Sequence, residues 1–108
     1  MDREAVEGDY LRLVKERLPA RAREDRWTLR LDHCFGRVLL DHAVGGCWYD
    51  ALDRRRVAYR QLSDVQLAEA VALGERLLER GDPLLRELDA QSLGWRGKPQ
   101  KRHPRPAA

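Results

Sequence analysis

In this 108-residue chain the apolar side chains recur at steps of three and four, and that spacing restricts the fold more than any other feature. Over residues 64–80, Leu67, Ala70, Val71, Gly74 and Leu78 share one helical face while Glu69, Arg76 and Arg80 occupy the other. Such a segment reads as a rod that must bury one stripe against a partner. Strands would need β-branched residues to cover a pleated surface, and the chain has no Ile and one Thr, Thr28. Most of its valines sit at helical spacings. The expected fold is therefore all-α: a small bundle of about four helices over residues 1–95, followed by a disordered basic C-terminal tail over 96–108. A chain of this length buries one modest core and no second one.

Start and stop signals divide the rods. A first helix is expected over residues 3–18, with Asp2 as N-cap and Pro19 as its stop. Val6, Tyr10, Leu13 and Val14 form its buried face, widened by Leu11 and Leu18. Residues 20–27 alternate in charge without an apolar period and read as a connection. A second helix is expected over 28–43, with Leu31, Phe35, Val38, Leu39 and His42 on one stripe and His33, Arg37 and Leu40 opposite, ended by Gly45 and Gly46. Residues 47–52 suit one short helical turn that drives Trp48 and Leu52 inward, and no pattern decides the state of 57–62. Ser63 and Gln66 stand at capping-box spacing and open the helix over 64–80. Within it Ala70 and Gly74, small at a four-residue interval, let another helix approach closely. Gly81 is expected to cap this helix, with Asp82 and Pro83 as the N-cap and first residue of a last helix reaching about residue 93. Leu84, Leu85 and Leu88 face inward there, with Trp95 as a further inward candidate. The expected core comprises Leu31, Phe35, Val38, Leu39, Leu67, Val71, Leu78, Leu84 and Leu88.

The formal net charge of +3 is unevenly spread. Residues 94–108 carry Arg96, Lys98, Lys101, Arg102 and Arg105 and no acid, which leaves the body near neutral and slightly acidic. With three prolines and almost nothing apolar beyond Trp95, burial does not offset the entropy of ordering this segment. Arg54, Arg55 and Arg56 form a second cationic cluster, read as an exposed loop. These eight residues are the candidate contacts to an anionic partner, because such cations neutralise phosphates and release counterions. The outer face of 64–80 alternates in sign, unlike a recognition helix lying in a major groove. Nonspecific nucleic-acid contact is thus expected ahead of base reading, with an acidic protein surface as the other partner. Trp27, Trp48 and Trp95 are many for so short a chain, and a partly exposed Trp commonly anchors an interface; Trp48 is expected in the core.

Other chemistries find less support. His33, Cys34, His42 and Cys47 are metal-ligand types, but on one helix His33 and His42 point to nearly opposite sides, and adjacent residues seldom reach one ion. Only a site of Cys34, His42 and Cys47 has workable geometry, set against ordinary buried thiols. Asp32, Asp41 and His42 are the best-placed acid–base candidates, set against charges that are simply solvated or paired. Neither a phosphate-cradling glycine loop nor a G-x-S-x-G elbow occurs. No apolar run approaches the roughly 18 residues needed to cross a bilayer, and no secretory leader is apparent. A cytoplasmic protein with no membrane contact and reduced thiols is expected. The expected function is that of a non-enzymatic binding or adaptor protein without a cofactor, with no residue assigned to catalysis or metal binding. A small enzyme using Asp32, Asp41 and His42 in a pocket comes second, and a metal-binding domain third.

Overall fold

The computed structural model describes residues 1–99, and no strand occurs among them. The first rod opens as expected, with the Asp2 side chain accepting a hydrogen bond from the Ala5 amide and helix α1 running over Arg3–Arg12. Pro19 does not stop it. The chain instead widens into a π-helical stretch, Leu13–Arg17, and continues as α2, Leu18–Glu24. Proline lacks an amide hydrogen and its ring collides with the carbonyl four residues back in a regular α-helix. The wider turn just before Pro19, where the Leu18 amide bonds to the Leu13 carbonyl, absorbs that misfit. The rod thus extends through most of the segment expected to be a connection, and it buries Leu13, Val14, Leu18 and Ala22.

Beyond α2 the chain reverses at Arg26, the one non-glycine residue with positive φ among the described residues. The reversal inserts Trp27 into the core, edge-on to Phe35. Thr28 then donates from both its amide and its hydroxyl to the Asp82 carboxylate, each at 2.8 Å. This corrects the reading of Asp82 as an N-cap: its carboxylate pins the incoming chain, and the last helix opens directly after Gly81.

Helix α3 spans Asp32–Val44 and is preceded by Leu31 in extended conformation. Because the helix begins there and not at residue 28, Leu31 falls outside its stripe and is 57% exposed, which removes it from the expected core. Leu40 and Asp41 are buried as well, so α3 buries a broader face than the stripe implied. Gly45 ends α3 in the left-handed conformation, its amide bonded to the Asp41 carbonyl. A short α4, Trp48–Ala51, and a 3-10 turn, Tyr59–Gln61, lead to α5, Asp64–Arg80, which starts in the expected capping box. Arg3 ties this turn to the first rod: its guanidinium donates to the carbonyls of Tyr59, Arg60 and Leu62 and to Asp64.

Helix α5 packs along α1 and α3, and α6, Asp82–Trp95, packs on α3 and α5. The centre is Leu13, Leu18, Phe35, Val38, Leu39, Leu67, Leu77 and Leu85, all fully buried. Leu88 joins them, whereas Val71, Leu78 and Leu84 sit half-buried at the margin. At Gly74 an added Cβ would lie 3.0 Å from the Leu13 side chain, so the expected close approach is made with the first rod.

Gly81 joins α5 to α6 at φ 74 and ψ −154, a region that only glycine occupies without strain. Gly81→Ala is expected to lower stability by roughly 1–3 kcal/mol in urea unfolding. Gly94→Ala, inside α6 with open space around the added methyl, should be neutral or raise stability by up to about 1 kcal/mol. Equal effects at the two positions would contradict the backbone assignment.

Candidate functional site

The polar residues that pack between α3 and α6 form one connected network. On α6 and its C-cap, Asp89, Ser92 and Arg96 are spaced three and four apart and so share a face; on α3, Arg37 and Asp41 are four apart and do the same. Asp41 is fully buried. One of its carboxylate oxygens accepts from Arg96 Nε at 2.8 Å and from the Ser92 hydroxyl at 2.6 Å. The other accepts from Arg96 Nη2 at 2.9 Å and from the Trp48 amide at 3.0 Å. The fork of the guanidinium matches the carboxylate bidentately. Ser92 in turn accepts from Arg37 Nη1 at 2.8 Å, and Arg37 pairs with Asp89.

Burial alone would push the Asp41 carboxyl up, but the hydrogen bonds from Arg96, Ser92 and the Trp48 amide outweigh it and hold the group below its ordinary value. Arg96 is held above its own ordinary value, chiefly by the same hydrogen bond to Asp41. The carboxylate is thus permanently ionised near neutral pH with its acceptor positions taken. That is the chemistry of a structural anchor, and it leaves no lone pair directed at a substrate.

Arg96 reaches Asp41 because α6 is longer than the sequence suggests. Gly94 lies inside the helix, and Gly97, at φ 67, is its left-handed terminator. The Gly97 amide bonds to the Gly94 carbonyl and the Lys98 amide to that of Leu93, the paired arrangement of a Schellman cap. The extra turn swings Arg96 into the protein, where its side chain is 9% exposed. Arg96 therefore does not belong with the solvent-facing cations to which the sequence assigns it.

From Arg96 the contacts run outward. Its guanidinium lies 4.5 Å from the centre of the Tyr49 ring, and that of Arg54 lies 3.9 Å from the same ring. Arg54, Arg55 and Arg56 are exposed, as the sequence implies, but their loop is held. The Gln61 side chain accepts from the Asp53 amide and donates to the carbonyls of Asp53, Arg56 and Val57. Arg55 also pairs with Asp53. Lys98 is exposed just past the helix cap, while Lys101, Arg102 and Arg105, with the disorder expected of the tail's remainder, lie outside the described residues. Tyr49, the ring on which the two cationic regions meet, was not among the sequence candidates; its place directly after Trp48 was the available signal.

The acid–base candidates do not assemble. Asp32 opens α3 and is exposed, whereas Asp41 lies nine residues on, about 14 Å along the axis. The His42 ring faces the Leu88 carbonyl at 3.0 Å, and since a carbonyl only accepts, Nε2 carries the hydrogen. The groove that His42 lines with Ala43, Glu69, Ala70, Leu73 and Arg76 includes neither aspartate. Among the described residues no three His, Cys, Asp or Glu side chains converge as metal ligands, so Cys34, His42 and Cys47 do not meet around an ion. No disulfide joins the two cysteines, and no helix among the described residues is long and apolar enough to cross a membrane. Comparison of the chain with protein-family models, with curated proteins and with solved structures finds no match.

The depressed acidity of Asp41 has a fixed sign. A carboxyl lowered on folding contributes stability that is complete above its unfolded value, near 3.8, and that drains away as pH falls through the lower folded value. Wild-type stability should therefore drop steeply below about pH 4, with a visibly shallower acid limb in Asp41→Asn. Urea melts across pH 2.5–6 would show it, and identical acid limbs in the two proteins would contradict the assignment.

Proposed function

We propose that this chain is a non-enzymatic binding protein whose cationic surface contacts the phosphates of nucleic acid without reading sequence. The supporting observation is that Arg54 and Arg96 converge on the Tyr49 ring. Arg54 of the arginine loop and Arg96 at the end of the last helix, distant in sequence, thereby share one aromatic ring. On this reading Arg54, Arg55, Arg56 and Lys98 form the ordered part of the contact, and Lys101, Arg102 and Arg105 extend it along the backbone of the polymer. Arg96 serves as the anchor of that surface and not as a phosphate ligand. The proposal includes a cytoplasmic location.

Two features support binding over catalysis. Every buried side-chain nitrogen and oxygen among the described residues has a hydrogen-bond partner, so the interior holds no polar group waiting for a substrate. The charged groups of the α3–α6 network likewise neutralise one another. Arg54, Arg55, Arg56 and Lys98 stand outside that network and face solvent, where phosphate contact draws on counterion release.

Salt titration tests this reading. Affinity for a random-sequence duplex should fall steeply with salt. Replacing Arg54, Arg55 and Arg56 together by Gln should reduce the log–log slope by roughly 2–3, since each phosphate that a cation neutralises adds about 0.9 to it. The Gln replacements at Lys101, Arg102 and Arg105 should do the same. Salt-independent binding, or no binding to any polymer at low salt, would rule the reading out.

A further inference from the structure

The exposed aromatic side chains of the described residues are Tyr49, at 40%, and Trp95, at 43%. Both border Arg96. Tyr49 lies against its guanidinium, and Trp95 precedes it in sequence and sets its ring edge-on against His42, the neighbour of Asp41. The third feature of this surface is Arg54, whose guanidinium lies over the Tyr49 ring. Trp27 is buried and Trp48 half-buried, so the solvent-facing aromatic side chains are Tyr49, which carries Arg54 and Arg96 on its ring, and Trp95, the residue next to Arg96.

We propose that this surface takes unpaired bases, so that the preferred ligand is single-stranded nucleic acid. The inference rests on the phosphate-binding function proposed for this surface and specifies its substrate class. A phosphate-binding surface for duplex needs cations alone, since the base faces of a duplex are covered by their neighbours. Flat aromatic groups beside the cations are useful to a strand whose bases are free to stack, and such stacking tolerates any sequence because every base has a π face. Trp95 offers one platform. The Arg54 guanidinium backed by Tyr49 offers a second, since guanidinium planes stack on bases as aromatic rings do. Exposed Arg55, Arg56 and Lys98 then neutralise the phosphates between the stacked bases. The platforms are held in place: Trp95 by His42, and Tyr49 by Arg96, which Asp41 fixes. None of these contacts requires an unpaired base to be recognised by hydrogen bonding, in keeping with the absence of sequence reading.

The test is a set of fluorescence and anisotropy titrations of the full chain at fixed salt with oligo(dT), oligo(U) and a duplex of equal length. Either single strand should bind about tenfold tighter than the duplex and quench tryptophan emission. The two single-stranded probes separate a DNA ligand from an RNA ligand. Trp95→Leu keeps an apolar contact for His42 but no planar ring, and it should lose about tenfold in single-strand affinity with duplex affinity unchanged; Trp95→Phe should restore most of the loss. Circular dichroism melts of each variant confirm that the fold is kept. Duplex binding equal to or tighter than single-strand binding, or a Trp95→Leu protein with unchanged preference, would overturn this inference while leaving the phosphate-binding reading intact. Failure to bind any of the three probes would overturn both.

Discussion

The Asp41 carboxylate is fully buried on a helix otherwise packed by Phe35, Val38 and Leu39, and most of the arrangement around it follows from the need to compensate that charge. Removing a carboxylate from water costs several kcal/mol even after relaxation. Four hydrogen bonds from three residues offset this cost: two from Arg96 at the end of α6, one from Ser92 a turn earlier, and one from the Trp48 amide that opens α4. Leucine-rich helices tolerate small slides and rotations against one another, because apolar contact is nondirectional. A carboxylate with four directed donors accepts one arrangement. In this bundle it sets the register of α3 against α6 and fixes where α4 begins.

The same pair connects the interior with the outer surface. Asp41 holds Arg96, Arg96 supports Tyr49, and Tyr49 supports Arg54, so the path from a buried anion to an exposed cation takes three contacts. Gln61 completes the support by closing the loop that carries Arg55 and Arg56. The result is a cluster in which Arg54 and Arg96 share the Tyr49 ring beside a loop closed by Gln61. Buried charge here serves to position exposed charge. Asp41, Asp89, Arg37 and Arg96 are each engaged by another residue of the network.

Much of this architecture is legible in the sequence where local chemistry decides it. Ser63 with Gln66, Gly45, Gly81 and the small pair Ala70 and Gly74 each act as their residue types imply, because caps and close approaches depend on neighbours only a few positions away. The errors arise where tertiary contacts overrule a local signal. Pro19 reads as a stop, yet a widened turn accommodates it once Leu18 and Ala22 have a core to enter. Asp82 looks like a cap until Thr28 arrives from far along the chain to claim it. Gly94 and Gly97 are both plausible terminators, and choosing the second places Arg96 on the face of Asp89 and Ser92, opposite Asp41. With the earlier terminator Arg96 belongs to the tail and the network stays invisible, because its donors and acceptors lie more than fifty residues apart.

A double-mutant cycle on Asp41 and Arg96 tests the central claim most directly. Urea unfolding of Asp41→Asn, Arg96→Gln and the double variant should show that the combined loss is smaller than the two single losses added, with a coupling of about 1–3 kcal/mol. Losses that add within about 0.5 kcal/mol would mean that the two residues act independently, and the proposed anchor of the α3–α6 interface and of the surface built on it would have to be given up.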